Sequence, residues 1–339
     1  MPTMKAVQIH RFGAEDVLQY EDIPIPSPDP WEMLIKVDAT SVNHADILIR
    51  QQGNIHIGES DLPLILGRDL VGTVAAVGAN VDEFKSGQRV VAIPALQTRP
   101  AGVPGGKEFT GCYAEYALAR PQDARPLPEG IDTATAAATG WVSLTAWYAL
   151  ETGRLKEGES VLVQSGGSGL GIMAIQFANL HGAKVFATAG TAEKCARLRA
   201  LGADAAINYR QDDFEAEVLK LTGGRGVDLV LEMVGGDVFV KSLRALAPGG
   251  RLIALGSLSG GATKLVQEPP AGRTTHRFSI TALLMKEPRA LEQLDKIFEL
   301  IRAGRVRMIV DRTFPLADVA SAHRYISQRR NFGKVVLTV

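Results

Sequence analysis

The sequence predicts an α/β protein with two domains: a doubly wound parallel sheet and a separate β-rich domain. The chain has 339 residues, which is roughly two or three times a typical domain length. Residues 1 to about 125 show short apolar or alternating runs separated by Gly and Pro. From about Asp132 onward, apolar strands alternate with amphipathic helices, which indicates an α/β sheet.

The first region is predicted to consist mainly of strands. One helix, Asn43–Gln51, interrupts them, with Asn43 as its N-cap. Segment Pro94–Gly111 is rich in Pro and Gly without an apolar period, so it is predicted to be a loop. The predicted strands are Met4–Ile9, Met33–Val42, Leu70–Val77, Arg89–Ile93 and Tyr113–Ala119.

The second region begins with a connecting helical segment, Asp132–Leu150. After it, strands are predicted at Ser160–Gln164, Lys184–Thr188, Ala205–Asn208, Val227–Glu232 and Arg251–Leu255, and helices at Ile172–His181, Thr191–Leu201, Asp213–Thr222 and Asp237–Leu246. This alternation is typical of a parallel sheet covered on both faces. Beyond Pro288 we expect a helix, Arg289–Arg302, and two strands, Met308–Phe314 and Lys334–Thr338, that rejoin the first domain.

The composition excludes several classes of function. The 37 Lys plus Arg balance the 37 Asp plus Glu, so charge gives no reason to expect nucleic acid or an anionic membrane as a partner. Only two cysteines occur, Cys112 and Cys195, which excludes a disulfide framework and a zinc site of three or four thiolates. The N-terminal residues alternate like a strand rather than a signal peptide, and no apolar run reaches the length of a membrane helix, so we expect a cytoplasmic protein.

The segment Val161–Gly171 carries the strongest chemical signal. A strand ends in a glycine-rich turn and a helix follows at once, an arrangement whose backbone N–H groups and helix dipole bind pyrophosphate. The G-x-G-x-x-G register places Gly166, Ser168 and Gly171, so a serine replaces the middle glycine. A glycine-rich turn without a ligand is the alternative, but the strand–helix–strand unit that follows favours a dinucleotide.

The end of the next strand favours NADPH over NADH. An NAD site normally has an Asp or Glu there for the ribose 2′-hydroxyl, whereas this sequence reads Thr188-Ala189-Gly190. Thr191 and Lys194 follow, and a hydroxyl and an ammonium suit a 2′-phosphate. Lys194 alone is equally compatible with a solvated helix lysine.

With these elements in place, the chain resembles the medium-chain dehydrogenase/reductase family, in particular its zinc-free quinone oxidoreductase (zeta-crystallin-like) branch. The resemblance extends over essentially the whole chain and rests on the order and spacing of several short segments rather than on any one of them. These segments are Met4–Val7, Val42–Arg50, Pro63–Val74, Leu144–Leu150, Ala200–Asp204, Gly249–Gly256 and Gly333–Val336. The resemblance implies a Rossmann-type NADPH-binding domain over 129–288 and a GroES-like catalytic domain over 1–128 and 289–339.

The zinc ligands of related alcohol dehydrogenases are absent from the matching positions. A Cys, a His followed by Glu, and a second Cys are replaced by Asn43, by Arg68-Asp69 and by the segment around Gly140-Trp141. Arginine stays protonated and cannot bind a metal. We therefore predict no metal site and interpret His44 and His56 as surface or hydrogen-bonding residues.

The resemblance also implies roles for individual residues. Asn43 would lie by the nicotinamide and the acceptor, and Thr145 near the nicotinamide ribose. The remaining residues expected to contact the cofactor are Ser165, Gly166, Gly167, Ser168, Gly169, Leu170 and Gly171 at the pyrophosphate, Gly190, Thr191, Lys194 and Tyr209 at the adenosine phosphate, Leu255, Gly256, Ser257 and Phe278 beside the nicotinamide, and Asn331, Gly333 and Lys334 closing the cleft. Tyr209 is equally compatible with a packing aromatic, and Asn331 with a turn residue.

The candidate catalytic residues are Asn43, Asp46, Arg68 and Asp69. Arg68 and Asp69 either orient the substrate or form a structural ion pair. Asp46, Tyr113 and Tyr116 are conceivable proton donors, although solvent can also protonate the product, and no Tyr-Lys or His-Asp relay is evident. Trp141 and Trp147 either line the acceptor pocket or pack in a core.

Without a Lewis acid, hydride transfer favours acceptors that spread the developing charge over a conjugated system. We therefore predict a zinc-independent, NADPH-dependent oxidoreductase acting on a quinone or another conjugated carbonyl acceptor. The alternatives are an alkenal or enoyl-thioester reductase and a non-catalytic NADPH-binding protein of structural or regulatory role. In both enzyme hypotheses the loops Gln51–Asp61 and Pro94–Gly111 would set the acceptor pocket. The resemblance further suggests a homodimer joined through a strand near Phe278–Leu284.

Overall fold

The computed structural model describes residues 2–54, 57–94, 111–256 and 268–339. The chain forms two compact units: the first is Met1–Trp141 with Thr281–Val339, and the second is Val142–Ile280. The domain boundaries drawn from the sequence, after residues 128 and 288, stay a prediction. His56, Ser257 and nearly all of the loop Pro94–Gly111 lie outside the described residues.

The first unit contains a three-stranded sheet in the order β2-β1-β4 and a seven-stranded sheet in the order β15-β16-β3-β5-β6-β8, with β7 also paired with β3. Its elements are β1 (Thr3–Ile9), β2 (Leu18–Pro24), β3 (Met33–Ser41), α1 (His44–Gln52), β4 (Leu64–Ile65), β5 (Leu70–Val77), β6 (Arg89–Ala92), β7 (Tyr116–Ala119), β8 (Ala124–Pro126), α8 (Gln293–Arg302), β15 (Val310–Pro315), α9 (Val319–Ser327) and β16 (Lys334–Thr338). Helix α2 (Thr133–Thr152) begins in this unit, and α7 (Ile280–Lys286) leads back into it.

The pairing of β3 decides which residues of the first unit meet. Strands β5 and β16 both run antiparallel to β3, with Thr40 opposite Leu70 and Ser41 opposite Val336. The end of β3 therefore lies beside the beginnings of β5 and β16. Residues 41–43, 68–69 and 334, far apart in sequence, come together at this edge.

The second unit is a six-stranded parallel sheet in the order β11-β10-β9-β12-β13-β14. Its elements are β9 (Ser160–Val163), α3 (Gly169–Leu180), β10 (Lys184–Ala189), α4 (Ala192–Ala200), β11 (Ala205–Asn208), α5 (Phe214–Leu221), β12 (Val227–Glu232), α6 (Gly236–Arg244), β13 (Leu246–Ala254) and β14 (Thr274–Arg277). The strand order reverses between β9 and β12, and this switch point is where doubly wound sheets bind ligands. The α/β fold class predicted from the sequence is confirmed.

Burial explains why the strands of the second unit read as continuous apolar runs. Val161, Leu162 and Val163 of β9 are fully buried, as are Leu229, Val230 and Leu231 of β12. Central parallel strands are covered by helices on both faces, so every side chain on them faces protein. Among the described residues, no helix is both long enough and apolar enough to cross a membrane.

Several local predictions were wrong. The segment Phe278–Leu284 is not a strand: β14 ends at Arg277, and Ile280–Lys286 is helical. A short apolar run fits both periods, so the pattern alone does not separate a buried helix from a strand. The strand expected from Tyr113 begins only at Tyr116, and β2 and α9 were not predicted.

Substituting Gly72 tests the close approach of β3 and β5. A Cβ atom at Gly72 would lie 2.2 Å from the carbonyl oxygen of Lys36 and 2.8 Å from Cγ2 of Ile35. Because the backbone cannot yield without opening the sheet, we expect Gly72→Ala to lower the free energy of unfolding by about 3 kcal/mol. Gly58→Ala is the matched control, since no described residue lies within 4 Å of the place that its added methyl group would occupy and its φ of −125° suits any residue. Urea unfolding compares the two, and equal stability of both variants would contradict the prediction.

Candidate active site

The glycine turn, Ser165–Gly171, joins β9 to α3 in a tightly packed conformation. A Cβ at Gly171 would lie 2.6 Å from the carbonyl oxygen of Ser165, and one at Gly166 would lie 2.9 Å from Leu198 and 3.0 Å from Ala187. These two glycines are thus required by the turn itself and by its contact with β10 and α4. Ser168, at the middle position of the fingerprint, turns its hydroxyl toward the helix and accepts a hydrogen bond from the N–H of Gly171 (3.0 Å) as the N-cap.

The turn leaves backbone donors available to a ligand. The N–H groups of Gly167, Gly169 and Leu170 donate to no partner within the described part of the chain, as expected for the first turn of a helix. Gly167 and Leu170 are partly exposed. Backbone donors at a helix N-terminus fit the pyrophosphate of a dinucleotide.

A string of buried side chains holds the glycine turn against its neighbours. Thr188 at the end of β10 donates to Oε1 of Gln164 (2.7 Å) and accepts from the N–H of Ser165 (3.1 Å), while Gln164 donates through Nε2 to Ser242 (3.0 Å). The turn is thereby connected to β10 and to α6. Thr188 is buried and its hydroxyl already bonds to Gln164 and Ser165, so it stabilises the glycine turn rather than contacting a ribose.

At the end of β10, residues from two neighbouring strands converge. The N–H of Tyr209 donates to the carbonyl of Ala189 (3.1 Å), and a Cβ at Gly190 would lie 2.6 Å from the Tyr209 hydroxyl and 3.4 Å from Nε of Arg210. Gly190, Tyr209 and Arg210 therefore form one patch, with the tyrosine 38% exposed. Arg210 was not among the residues predicted from the sequence; only its position after Tyr209 pointed to it.

The sequence at the end of β10, Thr188-Ala189-Gly190, has no acidic residue, and Thr191 has a structural use. Its hydroxyl accepts from the N–H of Lys194 (3.1 Å) as the N-cap of α4. Lys194 is half-buried in the first turn of the same helix. The cations Lys194 and Arg210 near this strand edge fit a phosphate on the ribose better than a hydroxyl alone.

In the first unit, the structure brings together a polar cluster consisting of Asn43, Asp46, Arg68, Asp69 and Lys334. Each of these five side chains is at least nine-tenths buried. Their charges balance, with two carboxylates against a guanidinium and an ammonium. Burial of this many charges is tolerated only when each is paired.

Asp69 is the most highly bonded member of the polar cluster. One carboxylate oxygen accepts from the hydroxyl of Ser41 (2.6 Å) and from Nδ2 of Asn43 (3.3 Å), and the other accepts from the N–H of Trp141 (3.3 Å). Its carbonyl accepts from the hydroxyl of Thr40 (2.6 Å). Asp69 thus connects the end of β3, the start of α1 and α2.

Lys334 fixes the orientation of the Asn43 amide. Its ammonium donates to Oδ1 of Asn43 (2.8 Å) and to the carbonyl of Val42 (2.9 Å). Since lysine only donates, Oδ1 must face it, which directs Nδ2 toward Asp69 and leaves that nitrogen a second N–H. Asn43 is also the predicted N-cap of α1, where its backbone N–H donates to Asp46 (2.8 Å).

Arg68 and Asp69 do not pair with each other, although they are adjacent. The ion pair joins Nε of Arg68 to Oδ1 of Asp46 at 3.6 Å, and the guanidinium carbon lies 5.0 Å from the centre of the Trp141 ring. Stacking on an aromatic face stabilises a buried arginine. The predicted ion pair between Arg68 and Asp69 was therefore wrong, because Arg68 pairs with Asp46 instead.

Burial dominates the electrostatics of the polar cluster. It raises the pKa of Asp46 to about 6, against the opposing charges of Arg68 and Lys334 and with the help of Asp69. Burial also lowers the pKa of Lys334, which Asp69 and Asp46 oppose. The pKa of the Cys112 thiol is raised well above its ordinary value, again mainly by burial, so this cysteine is an inert packing residue.

Asp46 also contacts residues that sequence reasoning did not connect with it. The hydroxyl of Tyr113 lies 3.2 Å from Oδ2 of Asp46 and 3.2 Å from Nε2 of His323 on α9. Tyr113 was considered as a proton donor, whereas His323 lies on a helix that was not predicted. A buried histidine on an apolar helix face was the only available signal.

The remaining predicted residues occupy several environments. Trp147 packs edge-on against Phe177 (5.2 Å between ring centres) and donates to Glu151, which makes it a core residue of the second unit. Asn331 donates to the carbonyl of Gly333 (2.9 Å), and Gly333 has a φ of +110°. Thr145 is buried on α2, Leu255 donates its N–H to the carbonyl of Glu232 (2.7 Å), Gly256 follows it, and Phe278 donates its N–H to the carbonyl of Ala254 (3.0 Å).

The described residues contain no group of three or more His, Cys, Asp or Glu side chains placed to hold a metal ion. At the polar cluster, two of the five side chains are cations, which repel a metal. The absence of a metal from the working protein stays a prediction.

Two family models match the chain. The model described as alcohol dehydrogenase GroES-like domain matches residues 29–129, and the model described as zinc-binding dehydrogenase matches residues 201–337.

Individual relatives match nearly the whole chain. It is 33% identical over 340 residues to a quinone oxidoreductase of Sus scrofa, covering 98% of this chain and 97% of that protein. It is also 33% identical over 337 residues to a mycocerosic acid synthase-like polyketide synthase of Mycobacterium tuberculosis, covering 98% of this chain but only 15% of that much longer protein. The solved structure of Escherichia coli quinone oxidoreductase complexed with NADPH superposes with a TM-score of 0.88 at 28% identity, covering 99% of this chain and 100% of that one.

Asp46→Asn tests the charge balance of the polar cluster. The pKa of Asp46 is about 6 in the folded protein against an ordinary value of 3.8, so between these values the folded state binds more protons than the unfolded state. Wild-type stability should therefore fall as the pH rises from about 4 to 6, and the asparagine variant should lack this term. We expect the unfolding free energy of wild type minus that of the variant to drop by about 3 kcal/mol between pH ~4 and ~8.

Urea unfolding at the two pH values measures this difference. The exposed aspartate Asp82 provides the control, because Asp82→Asn removes a carboxylate that water already solvates. A difference between wild type and Asp46→Asn that is the same at both pH values would contradict the assignment.

Proposed function

The chain belongs to the medium-chain dehydrogenase/reductase family, in its zinc-free quinone oxidoreductase branch, and from that premise we propose that it is a zinc-independent, NADPH-dependent oxidoreductase that delivers a hydride to a quinone or another conjugated carbonyl acceptor. The observation that carries the proposal is the polar cluster. Arg68 and Asn43 occupy positions where related alcohol dehydrogenases have zinc ligands, and a second buried cation, Lys334, bonds to Asn43.

Hydrogen-bond donors and cations can stabilise an acceptor whose developing charge is delocalised. When bound, NADPH supplies a hydride from C4 of its nicotinamide ring. The charge that then develops on a quinone or enone oxygen is delocalised, so hydrogen-bond donors and nearby positive charge suffice to stabilise it. Arg68 and the second N–H of Asn43 provide such groups. A simple ketone or alcohol would need the stronger polarisation of a metal ion.

The second unit supplies the residues for the cofactor. The N–H groups of Gly167, Gly169 and Leu170 would hold the pyrophosphate, and Gly190 leaves room for the ribose next to Tyr209. Lys194 and Arg210 would bind the 2′-phosphate that distinguishes NADPH from NADH. The NADPH complex of the Escherichia coli relative supports this choice.

A second candidate is reduction of an alkenal or an enoyl thioester. These acceptors are conjugated carbonyls too, so the same groups would stabilise the charge. The likeness to a segment of a polyketide synthase favours this candidate.

Acceptor specificity tests the proposed reaction. We expect the purified protein to oxidise NADPH, followed by its near-ultraviolet absorbance, with quinones, 2-alkenals or enoyl-CoA esters, and not with saturated ketones. A chelator should leave the rate unchanged, and a metal assay should find far less than one zinc per chain. Asn43→Ala should lower kcat by about a hundredfold, whereas Asn80→Ala, at an exposed turn residue, should not.

Other outcomes of this assay decide between the alternatives. Tight NADPH binding without turnover of any acceptor would favour the non-catalytic role. Stoichiometric zinc with loss of activity on chelation would overturn zinc independence.

Cofactor preference tests the patch at Gly190. We expect Arg210→Ala and Lys194→Ala each to weaken NADPH binding by about tenfold, the value of one charge-assisted contact to phosphate. Binding of NADH, which has no 2′-phosphate, should change little. Lys220→Ala, which removes an exposed lysine from the same unit, is the control. Fluorescence titration gives both dissociation constants, and a parallel loss of NADH binding would show that the residues act on the fold rather than on the phosphate.

A further inference from the structure

A chain of polar side chains leads away from Asp46 through the interior of the first unit. Tyr113 lies between Oδ2 of Asp46 and Nε2 of His323, at 3.2 Å from each. Nδ1 of His323 is 3.5 Å from Nη1 of Arg50, and the same Nη1 is 3.1 Å from Glu15. The first four residues are at most 1% exposed, and only Glu15 reaches the surface.

The donor and the acceptor in each of these side-chain hydrogen bonds follow from the contact between Arg50 and His323. The guanidinium of Arg50 only donates, so Nδ1 of His323 accepts and its proton is on Nε2. Burial, and then the charges of Arg50 and His44, lower the pKa of His323 to about 3, so the ring is neutral at working pH. Nε2–H therefore donates to the oxygen of Tyr113, and the Tyr113 hydroxyl donates to Asp46.

With these donors and acceptors, Asp46 cannot receive a proton by way of Tyr113 and His323. If each proton moved one step toward Asp46, His323 would lose its only ring proton. Arg50 cannot supply another proton, because arginine stays protonated. The arrangement can only present a donor to Oδ2 of Asp46. The other oxygen, Oδ1, faces Arg68.

We propose that Tyr113 and His323 are positioning residues for the reduction: they hold the Asp46 carboxylate ionised and in one orientation, so that it keeps the Arg68 guanidinium in place for the acceptor oxygen. This inference rests on the proposed function for its catalytic part. The charged and titratable groups facing Asp46 are Arg68, Asp69, Lys334, Cys112 and Tyr113. Those facing His323 are Arg50, His44 and Tyr113.

The proposed role of Asp46 predicts the direction in which kcat changes with pH. Protonation of Asp46 removes the partner of Arg68, so kcat should decline on the acid side with a midpoint near the pKa of Asp46, about 6. A donor to a carboxylate favours its ionised form. Removing the Tyr113 hydroxyl should therefore move this midpoint upward.

Tyr113→Phe tests the chain with the least structural change, because the ring remains. We expect kcat for the conjugated acceptor to fall about tenfold near pH 6 and the acid midpoint to rise by about one pH unit. The KM for NADPH should stay the same. Tyr325→Phe is the matched control, since Tyr325 lies on α9 with His323 and its hydroxyl also donates to an aspartate, Asp311, at 2.9 Å; it should leave both quantities unchanged.

His323 variants test the deduced tautomer. Glutamine can donate to Tyr113 and accept from Arg50, so His323→Gln should keep most of kcat and the wild-type midpoint. His323→Leu can do neither and should match Tyr113→Phe. Thermal unfolding establishes that each variant is folded, and Tyr113→Phe decides the matter if the leucine variant is not.

A titration without substrate separates this inference from the proposed function. The ¹³C resonance of the Asp46 carboxyl, assigned by its loss in Asp46→Asn, reports ionisation in wild type and in Tyr113→Phe. An upward shift of its midpoint in Tyr113→Phe is expected, and an unchanged midpoint overturns the donor chain whether or not the protein turns over an acceptor. Absence of turnover in wild type overturns the proposed function and the catalytic part with it.

Two further results would overturn the inference. Activity that falls as the pH rises through about 6 would make Asp46 a proton donor rather than an anchor for Arg68. An equal change of midpoint in Tyr325→Phe would show that the effect is general.

Discussion

The first unit depends on the burial of one carboxylate, that of Asp69. It is fully removed from water, and an isolated charge in that position would cost several kcal/mol. Its oxygens are satisfied by donors from three places: Ser41 at the end of β3, Asn43 at the start of α1, and the backbone of Trp141 in α2. Satisfying this carboxylate therefore fixes the strand end, the helix start and the long helix relative to each other.

The other charges follow from this first one. Asn43, directed to Asp69 by one face of its amide, presents its oxygen to Lys334, which brings the start of β16 to the same place. Asp46, in the first turn of the helix that Asn43 caps, then lies where Arg68 can pair with it. Arg68 is therefore next to Asp69 in sequence but pairs with Asp46. The proposed use of Arg68 and Lys334 toward an acceptor follows from the same constraint, because neither cation can leave without exposing an unpaired charge.

Local sequence pattern was sufficient for strands β9 to β13 of the second unit and insufficient for β14 and for the polar cluster. Strands such as Val227–Glu232 are continuous apolar runs because helices cover both faces, so their pattern, with the glycine turn, predicted the sheet. The helix capped by Asn43 was likewise a local signal. The pairing of Asp46 with Arg68, and of Tyr113 with His323, joins residues 22 and 210 positions apart, and no periodicity reports such contacts. Arg210 was missed for a related reason, since its place beside Gly190 depends on the register of β11 against β10.

The strand order of the first unit also orders events during synthesis. The second unit is one continuous stretch of chain, and its parallel strands can pair as soon as that stretch has left the ribosome. Strand β3 instead pairs with β16, synthesised about 300 residues later. Until then the end of β3 beyond its pairing with β7 has no partner on that edge, and Asn43 lacks its lysine, so the nascent first unit carries a short open stretch of sheet edge of the kind that chaperones protect. The ammonium of Lys334 arrives with the strand that closes this edge, which makes completion of the sheet and neutralisation of the polar cluster a single late step.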